Sequence, residues 1–252
     1  MWGREIGIYL DALGGAIGRE LDRDLGYGCV TMTSQGAHDD MDFRTFLRSR
    51  EGILRAFRRA DWNSVGDFRD LRQLGREVER AMMEATGGIN THKGLVFLQT
   101  FLILAWIQGV VWDDLTPYLR DLAAPLQADY REGAFPKSAL LNREGVRDIR
   151  QIPLSGYAFL LQGIEDFRSM DDGGLTLQLL ARVDDTTTIA RSSLPMLRKL
   201  QGRAGEILTM APKERARAAE DLSSYYVDQK ISSGGVADLF TTIRTLEALP
   251  WA

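Results

Sequence analysis

Cysteine and histidine are nearly absent from this chain, with one thiol and two imidazoles among 252 residues. Cys29 alone can close no internal disulfide and shows no metal-ligand spacing. That excludes a disulfide-stapled scaffold and a cysteine zinc site, and makes a reducing cytoplasm the simplest compartment. An excess of charge of one sign is also lacking. With 31 basic and 35 acidic residues, a formal net charge of -4, nothing draws the chain as a whole to nucleic acid or to an anionic membrane. Any anion site must therefore be local. No secretory leader pattern opens the chain, and no Pro/Ser/Gly-rich stretch divides it, so one domain around one core is expected.

Long apolar runs are scarce too. The one that stands out, Leu95 to Trp112, carries Gln99, Thr100, Gln108 and Gly109 and only touches the lower length limit of a membrane span. A helix apolar on every side is ordinary at the centre of a helical domain, so a buried helix is expected and a span rejected.

What is present is helical periodicity. Ile6, Leu10, Leu13, Ile17 and Leu21 recur at three and four residues, as do Phe43, Phe46, Leu47, Leu54 and Phe57, and Phe68, Leu71, Leu74, Val78 and Met82. Asp42 is placed to cap the second of these helices, and Gly87-Gly88 to stop the third. Thr116-Pro117 reads as the N-cap and first residue of a helix running to about Tyr130. Residues 131 to 153 are loop-rich, with Gly133, Pro136, Gly145 and Pro153. Helices are expected over 154–167 and 175–183, the latter delivering Asp184 and Asp185 at its C-terminal end, where the dipole disfavours carboxylates. Pro195 and Pro212 start further helices, and Ser232 or Ser233 caps the last. Period-two alternation is scarce, so the fold class is all-α, a multi-helix domain with polar clusters at helix ends able to converge on one mouth.

Those clusters hold the chemistry. Gly87-Gly88-Ile89-Asn90-Thr91-His92-Lys93-Gly94 has the composition of a phosphate cradle, with glycines that let backbone N–H groups approach an anion, a helix start and a lysine. It lacks the P-loop spacing, and a glycine turn capping a buried helix is the competing reading. Gly36-Ala37-His38-Asp39-Asp40-Met41-Asp42 sets His38, Asp40 and Asp42 at alternate positions, which share a face only in extended chain. Asp184-Asp185-Thr186-Thr187-Thr188 with Arg191, and Ser232-Ser233-Gly234-Gly235-Val236-Ala237-Asp238, complete the set.

In order and content these clusters match a family pattern that runs Gly-x-His-x-Asp-Met-Asp, Thr-Gly-Gly-Val-Asn-Thr-His-Lys-Gly, Asp-Thr-Asn or Asp-Thr-Thr with a following Arg, and Gly-Gly-Ser-Ala-Asp-Leu. The chain thus resembles triphosphoribosyl-dephospho-CoA synthases over residues 36 to 239. The resemblance implies that ATP is cut at its glycosidic bond: the ribose 2'-hydroxyl of 3'-dephospho-CoA attacks C1', adenine leaves, and the triphosphate stays on the transferred sugar. Such a reaction needs cations for the triphosphate, a proton or hydrogen bonds for the departing adenine, and a base for the hydroxyl. On this reading Gly87, Gly88, Asn90, Thr91, His92, Lys93, Arg191, Gly234 and Gly235 contact phosphate. Mg2+ bridges phosphate to Asp40, Asp42 or Asp185. His38, Asp40 and Asp185 are the catalytic candidates, His38 as proton carrier. For each Asp, helix capping or surface solvation is the competing role, for each His the ordering of a loop, for Arg191 an exposed helix charge. Asp238 either faces ligand or caps the last helix. Glu77 and Glu79 read as a solvated helix face, with Glu77 a spare metal ligand, and the Phe and Met stripes read as core with no adenine-binding role.

Two departures from the pattern stand out. Leu25-Gly26-Tyr27-Gly28-Cys29-Val30 replaces Pro-Lys-Pro-Gly and lacks its basic residue, and Ser192-Ser193 replaces Gly-Gly after Arg191. Both bear on the acceptor, which is expected to be dephospho-CoA used less efficiently, or a smaller or less anionic ribosyl compound. A metal-dependent nucleotide hydrolase would use the same His and Asp sets, and a non-catalytic nucleotide-binding protein would keep the 87–94 loop without turnover.

Overall fold

The computed structural model describes residues 3–131 and 145–251. Among them the structure is all-α, with no strand. In chain order the helices are α1 (Gly3–Leu21), α2 (Phe43–Arg59), α3 (Phe68–Thr86), α4 (Lys93–Ile107), α5 (Trp112–Ala123) and α6 (Gln127–Arg131). After the segment 132–144 come α7 (Gln151–Leu154), α8 (Ala158–Gln162), α9 (Ile164–Arg168), α10 (Asp172–Arg182), α11 (Thr186–Arg191), α12 (Leu194–Leu208), α13 (Pro212–Asp228) and α14 (Gly234–Ala248). Gly133 and Pro136 of the loop-rich stretch lie outside the described residues.

The periodic apolar positions of α1, α2 and α3 all face one continuous core that extends from Ile6 to Leu249. At its centre runs α4, in contact with α1, α3, α5, α7 and α14. Its side chains are buried around nearly the whole circumference, each large aliphatic one contributing about 1.5–3 kcal/mol. The polar residues within it are matched: the Tyr9 hydroxyl donates to Gln99 Oε1 at 2.7 Å, and Gln99 Nε2 donates to Thr242 Oγ1 at 3.1 Å, pinning α4 to α1 and α14. Among the described residues no helix is long and apolar enough to cross a membrane.

Several boundaries differ from the sequence reading. α4 stops at Ile107, where Gly109 turns the chain at φ 70°, short of the Trp112 end of the apolar run. The helix expected from Thr116-Pro117 instead begins at Trp112, with Pro117 inside it and Asp113 and Asp114 in its first turn. The first-turn carboxylates suit the positive end of the dipole, and they, rather than the proline, mark the start. Residues 154–167 form no single helix, because Gly156 and Gly163 break them into α7, α8 and α9. Ser233 does stand at the N-cap of α14, but its hydroxyl donates to Tyr27 O at 2.9 Å and ties α14 to the loop after α1.

Candidate active site

The turn between α3 and α4 is built by its two glycines. Gly87 and Gly88 take φ of 72° and 93°, which residues with a Cβ rarely adopt, and fold the chain back so that Gly88 N–H donates to Met83 O at 2.7 Å. Gly87 N–H likewise serves Glu84 O at 3.4 Å. Both amides are thus spent on the end of α3. Asn90 is exposed. The Thr91 hydroxyl donates to Ser49 Oγ at 2.6 Å, and Ser49 lies 2.7 Å from His92 Nδ1. His92 is buried against the Phe46 ring, 4.9 Å between centroids, and burial lowers its pKa to about 4, so it is neutral at pH 7. Lys93 points the other way, into solvent, and pairs with Glu79 at 2.5 Å. Glu77 accepts from Gln73 at 3.0 Å on the exposed face of α3.

The 36–42 loop lies against α11 and the segment before α14. Ala37 N–H donates to Gly28 O at 2.9 Å, and the Arg191 guanidinium reaches Ala37 O at 3.1 Å, Lys230 O at 3.4 Å and His38 Nδ1 at 3.0 Å. A guanidinium only donates, so Nδ1 is the acceptor, and the proton on Nε2 faces Ser232 Oγ at 3.1 Å. Burial first, and then the Arg191 charge, hold the His38 pKa below its ordinary value against the weaker pull of Asp40 and Asp39. Asp40 is largely exposed, its Oδ1 3.8 Å from His38 Nδ1. Asp42 closes a capping box on α2, accepting from Thr45 N–H and from the Thr45 hydroxyl, each at 2.8 Å.

Asp185 does not hang from the C-terminus of the preceding helix. α10 ends at Arg182, and Asp185 is the N-cap of α11, where the dipole favours a carboxylate. Its Oδ1 accepts from Thr187 N–H at 2.8 Å and Gly235 N–H at 3.3 Å, its Oδ2 from the Thr188 hydroxyl at 3.2 Å. Asp184 reaches outward, accepting from Arg198 at 2.5 Å and from Arg147 N–H at 3.0 Å. Gly234 packs on the Thr187 side chain. One turn along α14, the Asp238 carboxyl lies over the first turn of α4 and accepts from Leu95 N–H. A Cβ on Gly94 would overlap the Asp238 carboxyl and stand 2.8 Å from Ile149 Cδ1, so glycine is required there by close approach. Burial, then the neighbouring Asp185 and Glu20 carboxylates, push the Asp238 carboxyl well above the usual carboxylate range, and burial also raises Asp185.

His38, Arg191, Asp185, Gly234 and Gly235 are therefore brought together through Ser232, whose carbonyl also accepts from Thr188 at 3.3 Å. Asp238 joins that group to Gly94 and Leu95 at the start of α4. Asp40, Asp42 and Asp185 do not assemble, and among the described residues no three His, Cys, Asp or Glu side chains are placed to hold a metal ion. Asp185 and Asp238 are close enough for the charge of one to raise the pKa of the other.

Beside Gly94 opens a cavity of about 500 Å³ between α3, α4 and the turn at 148–150. Phe68, Phe97 and Phe101 form its apolar wall; Arg72, Arg76, Lys93 and Arg150 stand around it. Arg72 pairs with Asp129, Arg150 with Asp148 and Lys93 with Glu79. Thr186, next to Asp185, and Ile149, next to Asp238, close the inner end. Ser49, Glu20 and Arg23 have no place in the sequence reading, and Ser232 has one only as a helix cap. Ser49 carries no motif signal, whereas Glu20 and Arg23 sit three residues apart at the end of an amphipathic helix, a buried pair at 2.5 Å that spacing alone suggests.

The family model of ATP:dephospho-CoA triphosphoribosyl transferase matches residues 11–153 and 173–250. The chain belongs to this family. A probable 2-(5''-triphosphoribosyl)-3'-dephosphocoenzyme-A synthase of Albidiferax ferrireducens is 30% identical over 90% of this chain and 88% of its own length. Proteins of the same name from Vibrio cholerae serotype O1 and Streptococcus mutans are 28% and 26% identical, over 84% and 85% of this chain and 78% and 86% of their own. No solved structure matches the chain. All four clusters thus fall within the segments that define the family.

Proposed function

We propose that this chain moves the 5-triphosphoribosyl group of ATP to the ribose 2'-hydroxyl of 3'-dephospho-CoA and releases adenine. The observation that carries the reading is the juxtaposition of Asp238 and Asp185 with the α4 N-terminus, behind the Gly94 and Thr186 that line the cavity, in a chain whose family is named for that transfer. Burial, and then the Asp185 charge, push the Asp238 carboxyl well above the usual carboxylate range, which suits it to carry the proton in this reading. It gives that proton to a purine ring nitrogen as the C1'–N9 bond breaks, and the bonding pair leaves with adenine. The resulting carboxylate takes the proton of the 2'-hydroxyl as its oxygen bonds to C1', so the residue ends protonated as it began. Asp185, held by amide and hydroxyl donors, favours the oxocarbenium-like centre when it carries its charge.

Lys93 is a cation for the triphosphate, by exchanging Glu79 for phosphate, while Arg191 is occupied by Ala37 O, Lys230 O and His38. Mg2+ would be held through Asp185, with Asp238 left as the proton carrier, since this ion needs as few as one or two carboxylates beside phosphate and water oxygens; bound there it would neutralise phosphate charge. A cytoplasmic site of action suits these substrates. His38 serves as a neutral strut that holds the 36–38 loop on Arg191 and Ser232. The test is acceptor dependence: dephospho-CoA, and not its 2'-deoxy analogue, should support adenine release from ATP. Equal release with both, or with neither, would refute the assignment.

A further inference from the structure

The cavity beside Gly94 has two unlike ends, and the transfer reaction accounts for neither by itself. Its wall is aromatic: Phe97 and Phe101 meet edge to face at 5.4 Å, Phe68 stands 6.2 Å from Phe101, and the Arg72 guanidinium lies over the Phe68 ring at 5.5 Å. Flat apolar and cationic surfaces of this kind take flat, electron-rich rings. Its mouth is basic. Three of the four surrounding cations are matched by carboxylates, but Arg76 is exposed and has no ion pair or hydrogen bond among the described residues. Its inner end touches Gly94, Ile149 and Thr186, the residues next to Asp238 and Asp185.

We infer that this cavity is the purine pocket of the nucleotide donor, with the adenine of ATP against Phe68, Phe97 and Phe101 and the triphosphate at Arg76 and Lys93. The inference rests on the transfer reading for the identity of the donor, but not for the pocket's ligand chemistry. Three things favour the donor's purine over the acceptor's. The departing base has to be held where a proton donor can reach it, and Asp238 lies against Gly94, which lines this cavity. Removal from water strengthens that contact. The volume, about 500 Å³, is that of a compact nucleotide pocket, whereas the acceptor carries a long pantetheine arm. An unmatched arginine beside a lysine suits three phosphates in a row.

Gly75 gives a direct test. It lines the cavity from α3, and a Cβ there would meet only Thr100, at 3.4 Å, an ordinary contact. Gly75→Leu therefore fills the pocket while favouring the helix, and Gly75→Ala fills it less. Binding is measured by calorimetry on the full chain with ATP, tripolyphosphate and dephospho-CoA. Gly75→Leu should weaken ATP at least tenfold, Gly75→Ala less, with tripolyphosphate and dephospho-CoA within about twofold of wild type. Arg76→Ala, an exposed change that leaves the core untouched, should weaken ATP and tripolyphosphate about five- to tenfold and spare dephospho-CoA. If Gly75→Leu proves unfolded, Arg76→Ala decides alone. Loss of dephospho-CoA binding with ATP retained, equal loss of both, or no change in either overturns the pocket assignment. Adenine release with ATP affinity intact in Gly75→Leu would leave the transfer standing and remove the pocket. The expected binding pattern without adenine release would do the reverse.

Discussion

The carboxyl of Asp238 occupies the space that any side chain at position 94 would need, so Gly94 and Asp238 are fitted to each other across α4 and α14. Gly94→Ala should push Asp238 off the α4 N-terminus, lower the melting temperature and cut adenine release at least tenfold. In an Asp238→Ala background the same change should cost little stability. The coupling in a double-mutant cycle of melting or urea titrations should be about 1–3 kcal/mol, and additive effects would separate the two residues.

The raised pKa of Asp238 makes it a stability liability at neutral pH. Between the unfolded value, about 3.9, and its higher folded value, the native state holds a proton that the unfolded chain has lost. The contribution is full below the unfolded pKa and is lost as pH rises through the folded one. Asp238→Asn, which mimics the protonated form, should therefore raise the melting temperature at pH 8 relative to wild type, with the gain shrinking toward pH 4, and should abolish adenine release. A pH-independent difference would place Asp238 in an ordinary carboxylate environment.

His92 works in the opposite direction. Its folded pKa of about 4 lies below the unfolded value, so the unfolded chain binds the extra proton between about pH 6.5 and 4. Stability should fall through that window by up to roughly 3 kcal/mol. His92→Gln should flatten the dependence in urea titrations at pH 7 and pH 5. An unchanged slope would assign the acid sensitivity elsewhere.

The aspartates divide by position. Asp42→Ala should cost about 0.5–2 kcal/mol as a lost N-cap and leave the Mg2+ concentration for half-maximal activity unaltered. Asp185→Asn should raise that concentration several-fold. A Mg2+ titration that moves with Asp42 and not with Asp185 would reverse the two roles.

Lys93 and Glu79 form an exposed pair that phosphate must displace. Lys93→Ala should weaken ATP binding by about 1.5–3 kcal/mol, as for hydrogen bonds to charged groups, while Glu79→Gln should strengthen it by less than about 1 kcal/mol. Calorimetry with ATP reads both, and loss of affinity in Glu79→Gln would mean the pair acts as a unit.

Much of the fold is legible in the sequence because one interaction decides it. The three- and four-residue apolar spacing of α1, α2 and α3 and the Gly87-Gly88 stop each follow from local backbone chemistry and burial. Thr116-Pro117 misleads because carboxylates at 113 and 114 outweigh a proline that the helix accommodates. In the site, each cluster is visible but its pairing is not. That Asp185 caps a new helix, that His38 is held by Arg191, and that Ser49 stands under His92 depend on contacts between distant segments. Ser192 and Ser193 illustrate the limit: their hydroxyls serve Thr188 O at 2.7 Å and Met196 N–H at 3.2 Å, helix-end duties that a glycine pattern cannot disclose. The Phe wall was read as core because α3 and α4 do bury those rings on one side; the cavity on the other is a property of their crossing.

The most direct measurement of the transfer itself is the product balance from ATP, Mg2+ and dephospho-CoA, separated by chromatography and weighed by mass spectrometry. Triphosphoribosyl transfer yields free adenine and, in equal amount, an acceptor heavier by one triphosphoribosyl unit. ADP, AMP or inorganic phosphate with no free adenine would contradict it.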